Sequence, residues 1–255
     1  MFRIAGGSAA ARRWLRQRYA PFVTHGPAHF TLRVGAGGRR TAGRPPRPRV
    51  DWERGKFMIA LPSCRAEGDL RRGTARLTAP RGAVAVSPGL LRAICSLRLL
   101  AEGGLLFHAS AVVSDRGAWV FCGPSESGKT TLARLAAPRW VLNDETVAVI
   151  PRGAGYAAAA TPFFGEGGPV MAGRNGLAPL RALFFIHHGA GFVHRRLRPV
   201  EAVARAWPQI FAPKRDPAVG GALLAAVAGV AQKTPCFDFA FTPTLEVWDY
   251  VDAIA

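Results

Sequence analysis

The sequence predicts an α/β protein in which a mixed sheet carries a phosphate loop and a small α+β module precedes it. Three observations carry that prediction. Residues 123–130 read GPSESGKT, matching G-x-x-x-x-G-K-[ST], between the apolar run Trp119-Val120-Phe121-Cys122 and a helical stretch from Thr131 to Ala136. The apolar segments on either side of Asp115-Arg116-Gly117 are joined by so short a turn that they pair antiparallel, which makes the sheet mixed. Charge is divided along the chain: residues 1–105 hold 20 basic and 5 acidic side chains (net +15), whereas residues 106–255 hold 14 and 11 (net +3).

Taken in order, Ser8 caps a predicted helix through Tyr19, with Ala11, Trp14 and Leu15 on one face and Pro21 ending it. Phe30, Leu32 and Val34 alternate with Thr31 and Arg33 as a half-buried strand. Residues 35–55, rich in Gly, Pro and Arg, read as an exposed loop. Strands over Phe57–Leu61, Ala75–Thr78 and Ala83–Val86 complete a module of residues 1–86. Ser87-Pro88 opens a helix that runs to Gly103-Gly104, at the head of a domain spanning 87–255. Within it, Phe107–Val113 and Ala118–Cys122 form the hairpin, and Pro138 stops the helix after the loop. Trp140 to Glu145 reads as a strand ending in two carboxylates. A second hairpin is expected from Ala182–His187 and Phe192–Arg198 around Gly189-Ala190-Gly191. Helices over Val200–Ala206 and Pro217–Gln232, a strand at Phe237–Phe241 and a helix from Thr244 close the chain.

Composition narrows the function. Nearly half of the 255 residues are apolar, enough for a substantial core, yet the longest apolar stretch, Ala222–Ala231, is too short to cross a bilayer. Arg3, Arg12 and Arg13 are followed by no continuous apolar segment, so a secretory signal is not expected. Four scattered cysteines without a C-x-x-C pair fit a reduced, cytoplasmic protein. The net charge of +18 rests on 30 arginines and 4 lysines. Its concentration in the N-terminal part suits an acidic peptide or protein partner, or a solvated arginine surface with none. No helix-turn-helix, zinc or aromatic-basic signature accompanies it, which argues against nucleic acid. Nothing in the sequence marks an oligomer interface.

The octapeptide carries the chemistry. Gly123 and Gly128 let the backbone close around phosphate oxygens, with Pro124, Ser125, Glu126, Ser127 and Thr131 completing the cradle. Lys129 reaches the terminal phosphates, and the Thr130 hydroxyl suits a Mg2+ ligand. The plain alternative is a Gly/Ser-rich turn with a stray lysine. Glu126 is unusual, since a carboxylate inside such a loop must point to solvent or to an arginine. Asp144 follows Lys129 by 15 residues, one short helix and one strand, which puts it at the C-terminal edge of the sheet where ligands bind. There it can hold Mg2+ or take a proton from an attacking hydroxyl, with Glu145 in the other role. The alternative is a polar strand end paired with arginine. His108 alone reads as a structural histidine, and His187, His188 and His194 show no metal-ligand spacing.

The stretch LFHASAVVSDRGAWVFCGPSESGKTTLARL followed by WVLNDETVAV resembles the catalytic domain of HPr kinase/phosphorylase and its smaller relatives, among them lasso-peptide precursor kinases. TPFFGEGG at 161–168 and Ala178-Pro179-Leu180 resemble the smaller relatives too, and the likeness spans roughly residues 88–186. It implies the phosphoenolpyruvate-carboxykinase-like variant of the phosphate-loop NTPase fold. It also implies Mg-ATP-dependent phosphorylation of a seryl hydroxyl on a peptide or small protein. In that reading Asp144 is the catalytic base, Glu145 the second acid near Mg2+, and His108 lines the site. Lys129 and Thr130 keep their loop roles, and the basic module docks the substrate. Glu126 stands where the family loop usually has glycine, and Glu145 where the bifunctional enzymes have aspartate. No downstream phosphorolysis segment matches, so neither dephosphorylation nor HPr as substrate is expected. A metabolite kinase and a non-catalytic ATP-binding regulatory protein are the competing expectations.

Overall fold

Two mixed sheets organise the chain, one in each of two compact units: residues 1–101 with 213–221, and residues 102–212 with 222–255. The computed structural model describes residues 2–37, 49–61, 64–79, 88–164, 175–212 and 217–254. The first unit contains β1 (Phe2–Gly6), α1 (Ala9–Arg18), β2 (Phe30–Ala36), β3 (Arg49–Glu53), β4 (Lys56–Leu61), β5 (Cys64–Asp69), β6 (Thr74–Ala79) and α2 (Pro88–Leu100). Its strand order is β1-β2-β6-β5-β4-β3, the first three parallel and the rest antiparallel. The units divide after Ala101, so α2 goes with the first unit and not with the nucleotide domain expected to start at 87.

Local chemistry accounts for these elements. Ser8 caps α1 as expected, its Oγ accepting from the Ala11 N–H at 3.1 Å. Period-two burial marks the strands: Phe30 and Leu32, Phe57 and Ile59, and Ala75 and Leu77 are buried while their neighbours are not. Leu15 of α1 and Leu90, Ile94 and Leu97 of α2 supply buried apolar side chains from the helices. The exposed loop expected over 35–55 is partly strand: β2 runs to Ala36, and β3 pairs with β4 across the two-residue turn Arg54-Gly55, both at positive φ. The strand expected at Ala83–Val86 lies outside the described residues.

The second unit contains β7 (Leu105–Ser114), β8 (Gly117–Cys122), α3 (Lys129–Leu135), β9 (Trp140–Asn143), β10 (Thr146–Arg152), β11 (Gly155–Ala159), β12 (Leu177–His188), β13 (Val193–Arg196) and α4 (Pro199–Ala206). α5 (Pro217–Lys233), whose first five residues fall in the first unit, then leads to β14 (Cys236–Phe241) and α6 (Val247–Ile254). The predicted hairpin is present: β7 and β8 pair antiparallel from Ala109↔Cys122 to Ser114↔Gly117. β8, β12 and β14 run parallel to one another, so their C-terminal ends share one edge. The second hairpin does not form. β14, which enters from 40 residues later, lies between β12 and β13 and pairs with both. Its run Cys236-Phe237-Asp238-Phe239-Ala240-Phe241 buries four apolar side chains there, a gain that outweighs the local turn signal of Gly189–Gly191.

The core of this unit lies where the parallel strands meet α3 and α6. Phe121 stacks on Phe184 at 5.1 Å, Phe184 on Phe237 at 5.3 Å, and Trp119 on Trp248 at 6.3 Å between centroids. Arg139 lies over the Trp119 and Trp248 rings and makes two bonds, 3.2 and 2.7 Å, to the Asp252 carboxylate, fixing α6 beside the core. No helix among the described residues is long and apolar enough to cross a membrane. Phe184 is fully buried at the centre of this stack. Phe184→Ala should therefore cost about 3–5 kcal/mol, read as a lowered midpoint in urea unfolding of the full chain.

Candidate active site

One strand sets the site. On one side, Ala109 of β7 pairs with Cys122, the last residue of β8 before the phosphate loop. On the other side, the Ala109 N–H donates to the Glu145 carbonyl at 3.1 Å. Gly123 and Glu145 thus begin two strand spacings apart, about 10 Å between backbones, at the same edge of the sheet. His108, one residue further along β7, lies at the level where the loop departs, opposite Thr146.

The carboxylates do not end a strand, contrary to the sequence expectation. β9 pairs with β7 as far as Asn143↔Ala111, and β10 takes up the same partner strand at Thr146↔His108. Asp144 and Glu145 are a two-residue bend within one continuing strand, because β7 extends far enough beyond the loop to keep β10 paired. Asn143 builds the bend. Its Oδ1 accepts the Glu145 and Thr146 N–H groups, both at 2.8 Å, and its Nδ2 donates to the carbonyls of Thr161 (2.9 Å) and Phe163 (3.3 Å). The Thr161 hydroxyl donates to the Thr146 carbonyl at 2.6 Å. This buried knot uses the first half of the TPFFGEGG segment; residues 165–168 lie outside the described residues.

Within the bend, Asp144 is buried and Glu145 is about one-third exposed. Glu145 Oε2 lies 3.5 Å from His108 Nε2, and the His108 ring packs against Phe211 at 5.7 Å. The Lys129 side chain is buried, and its ammonium donates to the carbonyls of Gly123 (2.8 Å) and Pro124 (2.7 Å). Burial pushes the Lys129 pKa below the usual lysine value, while the negative charge of Glu145 works against that shift. Burial drives the Cys122 thiol well above its usual range, so it stays neutral beneath the loop. Lys129, Glu145 and His108 are therefore brought into one electrostatic neighbourhood, with Asp144 next in the chain.

The loop has no room for side chains at its glycines. A Cβ on Gly123 would meet Ser127 Oγ at 2.4 Å and the Ile186 carbonyl oxygen at 3.0 Å. Gly128, at φ 98°, would meet the Phe241 ring at 2.5 Å. Glu126 holds φ 67° and is exposed, its carbonyl accepting from His188 Nε2 at 2.9 Å. The His188 ring stacks on Phe241 at 6.0 Å, so the ends of β12 and β14 support the loop from below. His187 and His194 lie apart from it, His187 with Asp238 (3.6 Å) and His194 with the Tyr250 hydroxyl (2.9 Å).

These residues fit a Mg-nucleotide. A Cβ at either glycine would collide with atoms packed around the loop, and among the described residues the buried Ser127 Oγ has no hydrogen-bond partner. Ser125 is exposed, and Thr130 and Thr131 are half-buried in the first turn of α3. Among the described residues no three His, Cys, Asp or Glu side chains cluster as a metal cage. A Mg2+ ion bound by one hydroxyl, one or two carboxylates and phosphate oxygens needs none. Sequence reading missed Asn143, Thr161, His188 and Phe241. Only Asn143, an amide directly before two acids, carried a local turn signal. Compared with known proteins, the chain matches no protein-family model and no curated protein.

Two expectations follow. Asn143→Ala leaves two N–H groups and two carbonyls without their partner, and should cost roughly 2–4 kcal/mol in chemical denaturation. Glu126→Gly removes an L-residue from left-handed backbone and should stabilise the chain by about 0.5–1 kcal/mol, seen as a raised calorimetric midpoint.

Proposed function

We propose that this chain is a Mg-ATP-dependent serine kinase acting on a peptide or small protein, on a phosphate-loop NTPase fold of the phosphoenolpyruvate-carboxykinase-like kind. The observation that carries the reading is the one-strand separation between the phosphate loop and the Asp144-Glu145 bend, both tied to Ala109. A phosphate cradle beside a fixed acid pair suits transfer of a terminal phosphoryl group to a hydroxyl.

In this mechanism Lys129 leaves the Gly123 and Pro124 carbonyls to bind the triphosphate end. Asp144, shielded in the bend, accepts the proton of the seryl hydroxyl as its oxygen bonds to the γ-phosphorus. The bond from that phosphorus to the bridging oxygen breaks, and ADP departs with the electron pair, leaving phosphoserine. Mg2+, held by Thr130 and Glu145 with the phosphates, would neutralise charge on the transferring group. His108, 3.5 Å from the Glu145 carboxylate, holds it in place. Asn143 keeps both acids at the loop edge.

The test is label transfer from γ-labelled ATP to serine-containing peptides by the full chain. Wild type should label a seryl oxygen, and Asp144→Asn should bind ATP with about the same affinity while transfer falls roughly 10²–10⁴-fold. Intact ATP binding with no transfer to any seryl peptide would overturn the proposal. A hydroxyl metabolite as sole acceptor would make the enzyme a metabolite kinase.

A further inference from the structure

Among the described residues, the sheet of the first unit carries polar side chains on one face. Its apolar residues, Phe30, Leu32, Ala75 and Leu77 among them, are buried on one side. By strand alternation the other side carries Arg3 on β1, Thr31 and Arg33 on β2, and Thr74, Arg76 and Thr78 on β6. Arg3, Arg33 and Arg76 are exposed, and among the described residues none of the three has an ion-pair partner. Arg33 and Arg76 are direct cross-strand neighbours. Like charges so placed repel, Glu67 on β5 stands opposite Arg76 on its other side only, and parallel strands ordinarily have both faces covered. An arrangement that costs stability in the free chain is accounted for if an anionic partner lies over it.

We propose that the Arg3-Arg33-Arg76 face docks an extended acidic peptide segment, the part of the substrate that selects it. Arg3 is opposite Thr31, two residues from Arg33, so these two cationic positions stand diagonally across neighbouring strands, about 7–8 Å apart. Carboxylates at alternate positions of an extended peptide repeat at about 6.6–6.8 Å, close to that interval. The threonines between the arginines offer hydroxyls to a peptide backbone. On β3, β4 and β5 the same face mixes signs, Glu67, Asp69, Asp51 and Glu53 with Arg65, Lys56 and Arg49, so the run of cations without carboxylates is on β1, β2 and β6 and ends where Arg76 faces Glu67. A nucleic acid strand would want aromatic side chains for base stacking, and the sheet's phenylalanines, Phe30 and Phe57, are buried on the opposite face.

The proposal rests on the kinase reading for the purpose of docking but not for docking itself, so its test uses no ATP. A fluorescein-labelled decapeptide of alternating aspartate and serine is titrated against the full chain, followed by anisotropy. The expected result is saturable, salt-sensitive binding. The Arg33→Glu/Arg76→Glu double variant should weaken it roughly tenfold or more, and Arg33→Gln/Arg76→Gln by less. The glutamine pair serves if the glutamates impair folding. Wild-type affinity in a folded double variant, equal binding of an asparagine-serine decapeptide, or tighter binding of decathymidylate would each overturn the proposal. If the decapeptide binds as expected but no seryl label transfer is found, the docking face stands and the kinase reading falls.

Discussion

Strand β7 is the constraint on which the second unit depends. Ten residues long and buried over most of its length, it takes β8 along one side and both β9 and β10 along the other. A strand paired on both sides cannot slip by one residue without turning every buried side chain to the wrong face. That rigidity fixes Gly123, His108 and Glu145 relative to one another without any of them touching a common ligand. The placement of these residues is a property of hydrogen-bond register before it is a property of side-chain contacts.

The bend at Asp144-Glu145 adds the second requirement, that polar groups be held where a strand would otherwise alternate them. An uninterrupted strand would point two successive carboxylates to opposite faces of the sheet. Asn143 prevents this by accepting the two N–H groups that follow, so the backbone turns instead of alternating. The carbonyls its amide reaches belong to Thr161 and Phe163, which ties the bend to a segment some 20 residues away. A buried amide stabilises only when its own donors and acceptor are satisfied, and the four bonds of Asn143 meet that condition.

Much of this was legible in the sequence, and the rest failed for identifiable reasons. The phosphate loop and the β7-β8 hairpin were local, each encoded within about fifteen residues. So were α1, α2, α4 and α5, whose caps, prolines and apolar spacing are read off consecutive residues. The pairing of β13 was not local, because the partner with the larger apolar surface, β14, is encoded 40 residues downstream. β3 was hidden by composition: Arg49–Glu53 sits at the end of a Pro/Arg/Gly run, and only its register with β4 makes it a strand. β5 was overlooked because Cys64-Arg65-Ala66-Glu67 alternates with small residues that carry little β signal. At the site, the acids and the histidine were visible as residue types. The supporting residues were not, since His188 and Phe241 come to the loop through parallel pairing alone.

The state of Lys129 ties these points to energetics. Its ammonium is buried and already holds two carbonyl oxygens of its own loop, so desolvation has been met before any ligand arrives. In the proposed mechanism a triphosphate exchanges two neutral acceptors for charged ones and does not dehydrate a solvated lysine. Charge-assisted bonds are roughly twice as strong as neutral ones, and the exchange runs toward the phosphate. Glu145 restrains it in the opposite direction, since a carboxylate near the lysine stabilises the cation while repelling the incoming anion. That repulsion falls away only when a divalent cation lies between carboxylate and phosphate. On the proposed reading, the acid beside His108 makes nucleotide affinity conditional on metal, a coupling that an uncharged side chain at residue 145 would lose.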